Sequence, residues 1–237
     1  MKAKQILSLI LALILTLSLV ACGGTNDTPD SGDSTDPNAA SGLTEKIELS
    51  FAHSQQASAP TGMAMQAFAD KVKEDSNGMI EITVYPASQL GGERDELEGL
   101  SMGTVDMAYI SAGVIENYAP AAGIFNLPFV FDSYDHAQKV LDNEELNGVL
   151  ANDLANHNIK LLTFLVQGNR YLYSNKEANM DDLSTLSGLK IRVPEAPMAT
   201  GIWTSLKANP TAVPWSEVYT AMSTKIVEPL RSMSMRS

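Results

Sequence analysis

Residues 79–97 read Met79-Ile-Glu-Ile-Thr-Val-Tyr85-Pro-Ala-Ser-Gln-Leu90-Gly-Gly-Glu-Arg-Asp-Glu-Leu97, and this order of residue types decides the fold. Met79 to Tyr85 alternates apolar with polar residues and is rich in β-branched side chains, the pattern of a strand. Two glycines then precede a helix whose first turn carries Glu93, Asp95 and Glu96, and acids there suit the positive end of the helix dipole. The glycines are no phosphate loop, because no Gly-Lys-Ser/Thr follows them. A capped, solvent-facing helix start explains the acids better than a catalytic carboxylate pair does.

The same alternation extends on both sides. Upstream, Ile47, Leu49 and Phe51 mark a strand. Pro60 to Asp75, apolar at Met63, Phe68 and Val72, marks a helix that Asn77-Gly78 stops. Downstream, Gly103-Thr-Val-Asp-Met-Ala-Tyr-Ile-Ser111 reads as a third strand, apolar enough to be central. Strand, helix, strand, helix, strand implies a parallel sheet covered on both faces. Asn126-Leu-Pro-Phe-Val-Phe131 is a rigid apolar connector, residues 133–156 a helical zone, and Ile159 to Val166 a further strand. Gly168 permits a bend before Arg170, which we read as a hinge or domain crossing. Met198 to Leu206 reads as a helix, and a second one begins at Pro214-Trp215 with Ser216 as its cap.

Ser187-Gly-Leu-Lys-Ile-Arg-Val-Pro194 is a short strand entered from a turn and ended by a proline that has no N–H for a ladder. Alternation puts Leu189, Ile191 and Val193 on one face and Lys190 and Arg192 on the other. Lys190 reads as a solvated residue. Arg192 stands out, being one of only 5 arginines in an acidic chain. A guanidinium holds a carboxylate through two parallel hydrogen bonds, which a lysine cannot do. Arg192 is therefore the candidate anion anchor.

The 237 residues carry 16 Lys and Arg against 28 Asp and Glu, a formal charge of −12. Such a chain should avoid nucleic acid and anionic membrane surfaces, which need basic patches. His53, His136 and His157 lack metal-ligand spacing, a single cysteine excludes an internal disulfide or a structural zinc framework, and no Gly-x-Ser-x-Gly occurs. No cofactor is implied. Trp203 and Trp215 suit a core or interdomain position, and either could wall a ligand pocket.

Residues 1–21 have the basic start and apolar run of a secretory signal. Residues 23–45 carry 5 acids, no bases and almost nothing apolar. A stretch that polar cannot offset the entropy of ordering, so residues 22–45 read as a flexible leash. Leu19-Val-Ala-Cys22-Gly23 resembles the lipobox of bacterial lipoproteins, which implies lipidation of Cys22 and a membrane tether through lipid.

Taken in order, the lipobox, the leash, Tyr85 to Arg94, Gly103 to Met107, Leu127-Pro-Phe129, Gly188 to Pro194, and Asn209-Pro-Thr-Ala-Val-Pro-Trp-Ser-Glu-Val-Tyr-Thr-Ala221 resemble one family. It is the extracytoplasmic solute-binding subunit of TRAP transporters, the tripartite ATP-independent type typified by dicarboxylate binders. The resemblance covers about residues 46–227. It implies an α/β, periplasmic-binding-protein-like fold of two lobes, with mixed or mostly parallel sheets, joined by a hinge. A first lobe would span 46–166 and a second, incomplete one 167–237. It also implies closure around a small carboxylate, with Arg192 binding the ligand carboxylate, Arg170 assisting and Trp215 packing on the ligand. The partners would be the membrane subunits of such a transporter. After Val227 the chain departs from the family pattern, and the resemblance then implies a truncated or frame-shifted reading. Other readings are a ligand-sensing lipoprotein, a non-functional remnant of the binding protein and, with least support, an exported enzyme.

Overall fold

A computed structural model describes residues 43–168, 172 and 182–228. The expected strand–helix alternation is present. Strand β1 (Ile47–His53) leads into helix α1 (Pro60–Asp75), then β2 (Ile80–Tyr85), α2 (Glu93–Met102) and β3 (Met107–Tyr109). The three strands form a parallel sheet in the order β2-β1-β3. β1 pairs with β2 from Ile47↔Ile80 to Ala52↔Tyr85, and with β3 from Phe51↔Met107 to His53↔Tyr109.

The middle strand among those described is thus β1, and the expected central third strand is a short neighbour at its side. Gly103 explains the shortening. It ends α2 in the left-handed region at φ +71, and the N–H groups of Thr104 and Val105 turn back to the carbonyl of Gly99. The chain re-enters the sheet only at Asp106, whose carboxylate accepts from the N–H and hydroxyl of Ser50.

Helix α1 has the expected bounds. It buries Gly62, Met65 and Ala69, with Val72 packed on the same core and Phe68, half exposed, edge-on to Phe51 at 6.1 Å, whereas Met63 faces outward. Gly62 sets this rotation, since a Cβ there would lie 2.2 Å from the carbonyl oxygen of Gln56, so only a glycine face can approach that turn. Met65 and Ala69 then pack with Phe51 and Ile82 in the first core.

A short helix α3 (Ala112–Ile115) and a 3-10 segment (Pro120–Asn126) follow. Next come α4 (Tyr134–Leu141) and α5 (Glu144–Ala155), capped by the side chains of Ser133 and Asn143. Leu150 and Leu154 meet Ala119 and Ala122 in a second core. Residues 159–166 form no strand. Ile159, Leu161 and Phe164 pack on the second core, but the segment makes no ladder with a described strand, and Leu162 and Leu165 are left exposed. The connector around Phe129 is less buried than its composition suggests, since Phe129 is exposed and has φ +62. The bend at Gly168 is present, with φ +113.

Beyond it, β4 (Lys190–Val193), α6 (Pro197–Ser205) and β5 (Asn209–Ala212) form a unit in which the two strands pair parallel, from Lys190↔Asn209 to Val193↔Ala212. Leu189 and Val193 are buried and Lys190 is exposed, as alternation requires. β5 was not legible as a strand, because Pro210 interrupts it and the segment is only four residues long. Trp203 packs on Leu186, Leu189, Val193 and Ala199, and is a core residue. Ser216 is not a cap. Residues Trp215–Glu217 make a 3-10 turn, and α7 (Val218–Ser223) starts from Glu217 without a side-chain cap.

Candidate functional site

In open parallel α/β sheets, ligands bind beyond the carboxyl ends of the strands. At that end of the first sheet, Glu93 ties two strands together. The hydroxyl of Ser54, just past β1, donates to its Oε1 at 2.9 Å. The N–H and hydroxyl of Ser111, just past β3, donate to Oε2 at 3.0 and 2.5 Å. Glu93 opens α2, where its charge also suits the helix dipole. The turn is made by Gly91, at φ +109, and by Asp95, which accepts the N–H of Gly92 at 2.8 Å.

The expectation of a uniformly solvent-facing acidic turn fails at Glu96. This side chain is fully buried, and neither carboxylate oxygen has a hydrogen-bond partner. Burial, reinforced by the charges of Glu93 and Asp95, pushes its carboxyl up to about 8. Tyr109, which ends β3, is also pushed up, by burial first and then by the Glu93 charge. His53 is fully buried and packs edge-on against Phe51 at 6.3 Å. Alternation places it on the α1 face of the sheet, opposite Ser54.

Arg192 stands on the second sheet. Its Nε donates to the carbonyl of Val213 at 2.9 Å, one residue beyond the Val193↔Ala212 pair. Its guanidinium carbon lies 5.7 Å from the centre of the Trp215 ring, within cation–π range. Trp215 remains 55% exposed, so much of its surface is open to a ligand. The structure therefore brings Arg192 and Trp215 together. Arg170 and Cys22 lie outside the described residues. The loop before α2 meets the loop after β5 at Gly92, where a Cβ would stand 3.5 Å from the Cβ of Pro214. The acidic α2 start and the Pro214-Trp215 corner are neighbours in the fold.

Sequence reasoning missed Ser54, Ser111 and the bridging role of Glu93. The available signal was that two strands end in serine while a carboxylate follows the glycine pair. Only the parallel order of the strands reveals that the three meet.

A cation backed by an aromatic ring, next to a hydrogen-bonded carboxylate at the carboxyl end of a parallel sheet, suits a small polar acid. Residues 51–231 match the DctP family, bacterial extracellular solute-binding proteins of family 7, and the chain belongs to it. The sialic acid-binding periplasmic protein SiaP of Vibrio cholerae is 31% identical over 194 residues, covering 77% of this chain and 60% of the relative. The 2,3-diketo-L-gulonate-binding periplasmic protein YiaO of Escherichia coli is 29% identical, covering 82% and 57%. Among solved structures, a TRAP periplasmic solute-binding protein of Xanthobacter autotrophicus with bound β-D-galacturonate superposes with a TM-score of 0.70 at 32% identity, covering 76% of this chain and 59% of that one. The sugar acid binding protein of Advenella mimigardefordensis in complex with galactonate gives 0.72 at 28%, covering 78% and 59%. The chain thus spans only 57–60% of the length of these relatives.

Proposed function

We propose that this protein captures a small hydroxylated carboxylate, of the sugar-acid type, outside the cytoplasm and passes it to the membrane subunits of a TRAP transporter. The observation that carries this reading is the pairing of Arg192 and Trp215 on one sheet beside the Glu93–Ser54–Ser111 cluster on the other. Arg192 is the carboxylate anchor, Trp215 a flat apolar wall, and Arg170 a second cation following the bend at Gly168. Glu93 refines the ligand class. Its Oε1 takes one hydrogen bond, so a lone pair remains for a ligand hydroxyl, whereas a second ligand carboxylate nearby would meet like charge. Relatives solved with galactonate and β-D-galacturonate fit this pattern. A relative from Sulfurospirillum deleyianum holds succinate, which has no hydroxyl. Closure of a lobe at 46–166 against one at 167–237, about the bend near Gly168, would bury the bound acid.

The test is thermal unfolding of the purified chain with galactonate, galacturonate and succinate in turn. A ligand at a hundred times its dissociation constant adds about 2.7 kcal/mol to a native state that alone binds it. That corresponds to a rise of roughly 5–10 °C in a chain this size. A sugar acid should produce the rise and succinate should not. A response to succinate alone would reassign the ligand to plain dicarboxylates, and no response to any acid would overturn the reading.

Export and lipid attachment at Cys22 complete the proposal, supported by the apolar run before it and the polar stretch after it. In a bacterial host the protein should partition with membranes, and Cys22→Ser should release it to the soluble exported fraction. Equal partitioning of both forms would exclude the anchor.

A further inference from the structure

Helix α6 begins directly after the strand that carries Arg192, and its first turn lacks a cap of its own. Ala196 precedes it and offers no side-chain acceptor, and Pro197 occupies the first helical position. The N–H of Met198, in that first turn, finds its acceptor 82 residues away in sequence. Glu116, at the end of α3, accepts it through Oε1 at 2.7 Å. Glu116 is 9% exposed, and its Oε2 is buried with no hydrogen-bond partner. A half-satisfied buried carboxylate is costly unless something favours its charge at that spot. The positive end of α6 does so.

Two neighbours of Glu116 hold the same turn. Asn117 donates through Nδ2 to the carbonyl of Glu195 at 3.0 Å. Gly113 faces Ala196 so closely that a Cβ on it would lie 3.0 Å from the Cβ of Ala196. The chain also leaves room for the Glu116 carboxylate at Gly123, where a Cβ would come within 3.1 Å of Glu116 Cδ. Residues 195–198 are thus gripped at three points, Glu195, Ala196 and Met198, by residues 113–117, shortly after β4 ends at Val193.

We infer that Glu116 is a positioning residue for Arg192: by capping α6 from α3, it fixes the turn through which β4 leaves and so the place where Arg192 stands relative to the Glu93 end of the first sheet. Its effect on affinity rests on the carboxylate-binding reading above, and its effect on the strand does not.

The test compares the purified wild-type chain with Glu116→Ala and Glu116→Gln, by hydrogen exchange and by galactonate titration. Glu116→Ala should speed exchange of the Met198 amide by about tenfold or more, as expected when a local opening replaces a bonded state. The increase should spread to the β4 amides and leave those of β1 and β2 unchanged. Galactonate affinity should fall about tenfold. Glu116→Gln retains an acceptor oxygen and should recover most of both effects. Unchanged exchange at Met198, or an increase confined to Met198 with β4 still protected, would overturn the inference. If the wild-type chain binds no acid, the capture reading fails while the spread of exchange into β4 still decides this one.

Discussion

Replacing Arg192 by alanine is expected to weaken galactonate binding by about 30-fold to several thousand-fold. That is the range for truncating one partner of a buried, hydrogen-bonded charge pair, about 2–5 kcal/mol. The protein's net charge makes the loss hard to compensate. At −12 the long-range field opposes an anion, so attraction must come from cations within contact distance. Arg192→Lys should retain only part of the affinity. A lysine has no Nε to hold the Val213 carbonyl and no planar face to lie over Trp215, both of which orient the guanidinium. The fold should survive, because the hydrogen bond to the Val213 carbonyl is worth about 1 kcal/mol. Calorimetric titration of the wild type and both variants, with a melting curve for each, separates the two effects. Undiminished affinity in a folded Arg192→Ala chain would remove Arg192 from the site.

The site was half legible because its two halves are specified differently. Arg192 lies in a four-residue strand whose alternation is plain, so a rare cation on its outer face could be singled out from sequence alone. Glu93, Ser54 and Ser111 come from three separate elements. Their meeting depends on β3 running parallel beside β1 and on α2 crossing above them, and local pattern does not encode that register. The fold misses share this cause. Residues 159–166 are apolar enough for a strand, but strand formation needs a ladder, and they make none with a described strand. β5 has the partner but not the pattern, since Pro210 interrupts it. Helix α1 keeps its expected bounds, yet Met63 faces outward, because a Cβ at Gly62 would lie 2.2 Å from the Gln56 carbonyl oxygen and the glycine must face that turn. Turns and helix existence are local chemistry, whereas strand order, helix faces and the cap expected at Ser216 depend on the remainder of the chain.

Glu96 carries the second large expected effect, on stability. Its carboxyl, raised to about 8 in the folded chain, returns to its ordinary 4.5 on unfolding. The native state therefore holds a proton that the unfolded state has released at every pH between those values. Stability from this group is fully present below 4.5 and is lost as pH rises toward 8, at about 1.4 kcal/mol per pH unit. At pH 7 the accumulated cost is on the order of 3 kcal/mol relative to acid conditions. Glu96→Leu removes both the titration and the unpartnered oxygens, so it should raise the melting temperature, and by more at pH 8 than at pH 5. Glu96→Gln removes the titration but leaves a buried polar group. It should abolish the extra pH dependence with a smaller gain at pH 5. The other acids of the chain are common to all three proteins, so the difference between variant and wild type at each pH isolates this one group. Parallel melting curves for wild type and Glu96→Gln from pH 5 to 8 would show that Glu96 does not titrate in this range, and that its burial is relieved by water or by movement of α2.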